Sequence, residues 1–444
     1  MTTMSNILEM DKSNLRAAML LVVVALIPAI GVIIRQWHNR CKNRLPLPPS
    51  PPKASIISGH LPDVMRAAKE FRQHLLFDKW AKKYGEVYYV QIGPFRDYFI
   101  NSDRAVRAIF DQASAQTAER PRWIVSSEQT ANGMNLLLLS ASNQTWKHQR
   151  KVTAVGLTST QQAGAGLPFL HFETLKFINE IASDLAKGAK SQAIFQNIGR
   201  YTYSTFASQT FGLDIPTSDN PAIAYIHDTG TAQILGMLPG QWMVDIFPFL
   251  EKLPLIFKKW ERDAKARHRR DYKWQNQSRM STWAFLEAML MFPEVCKKAQ
   301  TFLDEVVGER VPVYDDIEKV PYIRCLMKEV WRWRPPVALG HPHVTTREIV
   351  YENYRIPKGA RLHVNTWAIH HDPTRYEDLH RFMPEGYEGD TSTSGQSQQS
   401  AVSAGVSKRD HFAFGAGRRI CKLAFPSTLR NSRITKSTSR PRIS

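Results

Sequence analysis

Residues 414–423 read FGAGRRICKL, and the single cysteine of that stretch, Cys421, is the residue in this chain best suited to metal chemistry. Positive charge nearby lowers the pKa of a thiol, so a cysteine following Arg418 and Arg419 is held as the thiolate, the form that binds metal. Gly415 and Gly417 allow backbone turns closed to other residues and let a flat cofactor come close. The two arginines can meet carboxylates through forked hydrogen bonds. The competing reading is a β-hairpin loop with an ordinary buried cysteine, although structural buried cysteines rarely sit among arginines.

Three further spacings bear on chemistry. In WKHQR, Trp146 and Arg150 stand at i and i+4 on one helix face, and both are donors only, which suits an anionic acceptor. An exposed cation–π pair is the alternative. Glu329 and Arg332 at i and i+3 can form an ion pair, but isolated pairs of this kind contribute well under about 1 kcal/mol at a surface. His341 and His343, two apart on a strand, could bind zinc, yet no cysteine or carboxylate set nearby completes such a site. His370-His371 reads as a surface turn before Asp372-Pro373.

The F-x-x-G-x-R-x-C spacing of Phe414, Gly417, Arg419 and Cys421 resembles the heme-binding loop of the cytochrome P-450 superfamily of heme-thiolate monooxygenases. The resemblance implies heme b (iron protoporphyrin IX) with Cys421 as the axial iron ligand. It also implies a propionate-binding role for Trp146 and Arg150, from the family's W-x-x-x-R helix, and a propionate contact for His343. Glu329 and Arg332 match the E-x-x-R pair that fixes the meander leading to the heme loop. Phe382 to Tyr387 resembles the family's F-x-P-E-R-F/Y segment, with Gly386 where an arginine completes the Glu–Arg network, so that network is expected to be short of a donor. Leu423 stands where the family usually has a small residue.

Two pieces of the family pattern are missing. The (A/G)-G-x-(D/E)-T pattern of the long distal helix, whose acid and threonine help deliver protons to dioxygen, does not occur between Lys258 and Ser281. Gly230 to Gly236 has no acid and Ala163 to Gly166 lies too early, so no catalytic residue is assigned. Ser281 onward looks like the last turns of that helix joined directly to a basic segment, as if an internal block had been removed. After Cys421, Lys422 to Ser444 has no acidic residue and almost no apolar periodicity, a composition that cannot offset the entropy of ordering.

The elements that must position these residues read as mainly α with a small β component, an incomplete cytochrome P-450 fold, plus one N-terminal transmembrane helix. Ala17 to Ile34 is an unbroken apolar run just long enough to span a bilayer, and the basic residues after it place the bulk of the chain in the cytosol. The expected order is a lumenal segment (1–16), a signal anchor (17–34), a basic, proline-rich hinge (35–60), a heme-thiolate catalytic domain (61–421) and a disordered basic tail (422–444). Within the domain, one amphipathic helix is expected over Leu61 to Tyr84, then a strand pair, Glu86 to Ile92 and Tyr98 to Asn101, turned at Gly93-Pro94. Asp103 is expected to cap a short helix. Helices follow over Phe172 to Lys187, Ser191 to Phe211, Lys258 to Lys273, Ser281 to Phe292, Pro293 to Gly308 and Ile323 to Arg334, then short strands over Ile349 to Ile356. Trp242 to Leu255, apolar and broken by prolines, suits either a substrate access lip or plain core. Thr391 to Ser407 reads as a mobile loop.

The 444 residues can bury a large core, and 43% hydrophobic content suits a globular enzyme. Four cysteines without a C-x-x-C spacing argue against a disulfide framework. A net charge of +19 points to an acidic partner or a membrane surface, and no nucleic-acid-binding signature accompanies it. The resemblance implies a monooxygenase on the endoplasmic reticulum membrane, single-pass and facing the cytosol. Its partners would be an NADPH-dependent flavoprotein reductase, dioxygen and a small lipophilic substrate, with no nucleic acid. The missing acid–threonine pair leaves two alternatives: a peroxide-rearranging or dehydrating heme-thiolate enzyme, or a truncated, inactive, membrane-tethered relative.

Overall fold

The computed structural model describes residues 44–420 apart from 159, 212–213, 272–278, 311, 314–315, 318 and 391–410. Cys421 and the tail after it, the loop expected over Thr391 to Ser407 and the apolar run Ala17 to Ile34 lie outside the described residues. By its contacts the chain divides into a large unit, 48–349 with 357–444, and a small one, 1–47 with 350–356. In the small unit the Arg355 backbone N–H donates to the Pro46 carbonyl at 3.0 Å and its Nε to that of Leu45 at 2.8 Å.

In the large unit, the single helix expected over Leu61 to Tyr84 is two, α1 (Leu61–Lys69) and α2 (Gln73–Tyr84). Between them Phe71 takes a φ of 54°, which leaves the right-handed helical path. Strands β1 (Val87–Ile92) and β2 (Phe95–Ile100) form the expected antiparallel hairpin, with Val87 opposite Ile100 and the second strand beginning earlier than Tyr98. Helix α3 (Asp103–Val106) is capped by Ser102, whose hydroxyl accepts from the Ala105 N–H at 3.2 Å, rather than by Asp103. A hydroxyl one residue before the first turn reaches a free helical N–H that a carboxylate inside the turn does not.

The helical body comprises α4 (Gln144–Thr158), α5 (Thr160–Ala186), α6 (Ser191–Phe211) and α7 (Pro221–Gly236). Arg200 of α6, fully buried, reaches Glu173 and Glu180 of α5, each at 2.6 Å, so charge as well as apolar contact joins these helices. Next come α8 (Met243–Ile246), α9 (Lys259–Asp271), α10 (Arg279–Met291), α11 (Pro293–Val307) and α12 (Pro321–Trp333). Pro293 and Pro321 open their helices, where a missing N–H costs nothing. Gly308, at φ 61°, ends α11 as expected. Tyr322, Leu326, Val330 and Trp333, spaced along one face of α12, pack on Ala284 and Ala288 of α10 and on Val295 and Ala299 of α11. Small residues on the facing helices let α12 approach closely.

Four short strands and a helix follow: β3 (His343–Val344), β4 (Ile349–Tyr351), β5 (Tyr354–Ile356), β6 (Arg361–Val364) and α13 (Thr366–His370). The main sheet runs β1-β2-β6-β3, with β2 and β6 parallel and Asp97 in register with Arg361. Phe77, Phe99 and Tyr88 stack beneath it, with ring centroids 4.2 and 5.4 Å apart.

His370 and His371 do not form a surface turn. They end α13 at 0% and 4% exposure. Burial, with the neighbouring His411, holds His370 neutral, and its Nε2 accepts the Phe412 backbone N–H at 2.8 Å. A polar dipeptide looked external, but its rings find partners inside. The described fold is mainly helical with a small sheet. Among the described residues no helix is long and apolar enough to cross a membrane.

Candidate functional site

Trp146 and Arg150 lie on α4, whose first turn is capped by the Asn143 side chain, accepting from Thr145 N (2.8 Å) and Trp146 N (3.3 Å). Their i, i+4 spacing puts the Arg150 guanidinium 5.9 Å from the Trp146 ring. Arg419, which arrives from the far end of the chain, lies 4.5 Å from the same ring. Arg150 donates to the Ile420 carbonyl at 2.7 Å, and Arg419 donates to the Leu137 carbonyl at 3.2 Å. Burial and the repulsion of Arg150 push Arg419 down to about 10.

A third cation stands near them. Arg120 Nη1 donates to the carbonyls of His341 (2.8 Å) and Pro342 (2.6 Å), and burial plus Arg419 hold its pKa well below the usual range. Arg120 Nε, Arg419 Nη1 and His341 Nε2 are buried without a hydrogen-bond partner. Buried donors in that condition are costly unless an acceptor arrives. His343 gives its Nδ1–H to the Thr117 carbonyl at 2.6 Å, and burial keeps the ring neutral. Its Nε2 is then an acceptor only, so the donors in this region are Arg120 and Arg419 rather than His343.

The loop that presents these groups is fixed at two points. Gly417, at φ 64°, donates its N–H to Asp111 at 2.9 Å, and a Cβ there would strike the Phe110 carbonyl. Phe414 packs edge-on against Trp331 of α12, centroids 5.1 Å apart. One turn of α12 also carries Glu329 and Arg332, joined by two hydrogen bonds of 2.7 Å, each side chain 2% exposed. Arg332 donates on to the carbonyls of Leu379 (3.1 Å) and Arg381 (3.0 Å), and Glu329 accepts from Met383 N at 2.8 Å. The donor expected to be lacking because of Gly386 is thus supplied by backbone. No Cβ contact lies within 4 Å of Gly386.

A cavity of about 470 Å³ adjoins this region, bounded by Pro336 to Pro342 on one side and by Trp123, Ile234, Leu238 and Ile246 on others. It includes Trp242, Asp245 and Ile246 from the proline-broken segment, whose Val244 and Ile246 are also packed into apolar core. Phe249, Leu255, Ile256 and Phe257 from the same segment are exposed instead.

Trp146, Arg150, Arg419 and the loop around Phe414 and Gly417 are therefore brought together, with Glu329 and Arg332 supporting them from behind. Cys421 lies outside the described residues, one position beyond the Ile420 that Arg150 holds. Three neighbouring arginines, with buried donor atoms left over on Arg120 and Arg419, fit a flat group that carries two carboxylates, as a heme does. Arg120 was missed in the sequence, because it lies far in the chain from its partners and belongs to no spacing pattern, and His341 was read there only as half of a zinc pair.

A protein-family model described as Cytochrome P450 matches residues 48–273 and 274–422. A cytochrome P450 monooxygenase of Gibberella fujikuroi is 56% identical, over 90% of this chain and 83% of its own length. The cytochrome P450 monooxygenases virE of Hypocrea virens (31%, 88% and 78% covered) and fogE of Aspergillus ruber (29%, 91% and 81% covered) are also similar. A solved zebra fish cytochrome P450, with progesterone, shares the fold at a TM-score of 0.57 and 19% identity, over 79% of this chain and 87% of that one.

Proposed function

Since this chain belongs to the cytochrome P450 family and its relatives are monooxygenases, we propose that it inserts one oxygen atom from dioxygen into a small lipophilic substrate of fungal secondary metabolism. The observation that carries this reading is the pair Arg150 and Arg419 at the Trp146 ring, with Arg120 beside Arg419 and buried donors left over on Arg120 and Arg419, next to the loop leading to Cys421.

Bound there, a heme supplies the oxygen-activating chemistry, its iron held by the Cys421 thiolate. Arg419, Arg150 and Arg120 offset the charge of its carboxylates, and Trp146 keeps two of those guanidiniums in place. Glu329 and Arg332 hold the meander so that the loop keeps its shape. The cavity beside Pro336 to Pro342 orients an apolar substrate and excludes water. Electrons come from an NADPH-dependent flavoprotein reductase, drawn by the positive charge of the chain. The apolar run Ala17 to Ile34 anchors the protein in the endoplasmic reticulum membrane, with the large unit in the cytosol.

The test is hemin reconstitution followed by reduction under carbon monoxide. A red-shifted thiolate Soret band that disappears in Cys421→Ala supports the reading, and colourless protein ends it. A second reading, rearrangement or dehydration of a peroxide, is favoured by the lack of any (A/G)-G-x-(D/E)-T pattern in the chain. Turnover of a hydroperoxide without reductase would select it, and strict dependence on reductant and dioxygen would exclude it.

A further inference from the structure

The wall of the cavity is mostly apolar, and one charged corner stands where Asp97, Arg361 and His363 of the parallel strands β2 and β6 and Asp245 of α8 line it. Asp97 and Arg361 are register partners on those strands, and Phe99 and His363 are the next pair on the same face. His363 lies flat on Phe99, centroids 4.8 Å apart, and its Nε2 meets Asp97 Oδ1 at 2.8 Å. Arg361 stacks over Phe95 at 3.6 Å. Across from them Asp245 uses Oδ1 to accept from the backbone of Ile124 (2.7 Å) and Val125 (3.3 Å).

Each carboxylate thus has one oxygen engaged and one idle. Asp97 Oδ2 and Asp245 Oδ2 are buried without a partner, on residues only 4% and 9% exposed, and both residues line the cavity. Arg361 feels both charges, yet neither carboxylate lies within ion-pair distance of it. Arg122, the other cation on the wall, is forked onto Glu128 and Glu251. What the two idle oxygens lack is a donor within reach, since a buried carboxylate oxygen without a partner is an acceptor waiting for one.

We propose that Asp97 and Asp245 recognise a hydrogen-bond-donating group, a hydroxyl or an ammonium, at one end of an otherwise apolar substrate. This rests on the cavity being the substrate site. The corner discriminates by donors, because a substrate without one leaves both oxygens buried and unpaired. A substrate carboxylate is rejected by the same two charges, with only Arg361 to favour it. The enzyme accordingly acts on molecules that already carry a hydroxyl or amine, so the reaction supplying its substrate is one that leaves such a group on an apolar skeleton.

Trp123 and Trp242 line the same cavity, so ligand entry can be followed by intrinsic fluorescence without heme or turnover. The full chain would be titrated with 1-adamantanol, 1-adamantylamine, 1-methoxyadamantane and adamantane-1-carboxylate. The alcohol or the amine should bind about tenfold or more tighter than the ether, the ratio expected of a hydrogen bond to a charged group. Whichever of the two is tighter decides between hydroxyl and ammonium. In Asp97→Asn and Asp245→Asn, checked for folding by circular dichroism, the preference over the ether should shrink toward unity. Equal binding of alcohol and ether, tighter binding of the carboxylate, or no binding by any probe overturns the proposal, and none of these comparisons needs the variants to fold. Selective binding by protein that shows no thiolate Soret band would keep this inference and sink the monooxygenase reading. A normal Soret band with no donor preference would do the reverse.

Discussion

The Arg150 guanidinium donates to the carbonyl of Ile420 at 2.7 Å, across 270 residues of chain, and the residue after Ile420 is Cys421. A helix residue found by its spacing to Trp146 is thereby tied to the loop that presents the thiol. The bond fixes the end of the described loop at Ile420.

Arg150→Ala should weaken hemin binding about tenfold or more, because it removes a charge-assisted hydrogen bond and one of the three cations. Titration of apoprotein with hemin, followed in the Soret region, reads this directly. Arg150→Lys should recover only part of the loss, since a point charge cannot reproduce a planar fork. An unchanged titration in the alanine variant would remove Arg150 from the site.

The pair Glu329 and Arg332 should prove costly to break. Arg332→Met leaves a buried carboxylate without its partner and frees the Leu379 and Arg381 carbonyls, so about 3–5 kcal/mol of stability should be lost. Urea unfolding measures it. The double variant Glu329→Gln/Arg332→Met should lose less than the sum of the two single changes.

Gly417→Ala asks a residue with a side chain to hold φ 64° and to share space with the Phe110 carbonyl. The loop must shift, and the Gly417 N–H bond to Asp111 goes with it. Expected are a loss of about 1–3 kcal/mol and weaker hemin retention on gel filtration. Gly386→Ala, with open space around its Cβ, should change neither.

Stability should also depend on pH through Asp245. Burial raises its carboxyl to about 6, against a lesser opposing effect from its bonds to Ile124 and Val125. The fold therefore prefers the protonated form. Its contribution is fully present below the unfolded value of about 3.9 and is lost as pH rises through about 6, so the folded state carries a penalty of about 3 kcal/mol at pH 7. Asp245→Asn keeps the Oδ1 acceptor and cannot ionise, so it should be more stable than the parent at pH 7 and equal to it near pH 4. Thermal melts across that range, run without ligand, check the sign.

Much of the site could be read from the sequence because its pieces are local. Trp146 with Arg150 and Glu329 with Arg332 are one helical turn apart, and the period of a helix places such pairs on one face wherever the helix lies. The residues 414–420 carry their turn in their own glycines. Helices α6 and α12 follow the same logic from their apolar spacing, and α11 from an opening proline and a closing glycine.

What the tertiary structure decided is everything that depends on which distant segments meet. Arg120 joins Arg419, Asp97 faces Arg361 in a parallel register, and His370 turns inward to support Phe412. No spacing along the chain encodes those meetings, because parallel strands and packed loops are brought together by burial of the elements between them. One expected helix became two where Phe71 takes a positive φ, and burial left idle acceptors at Asp97 and Asp245 that only a folded cavity can reveal.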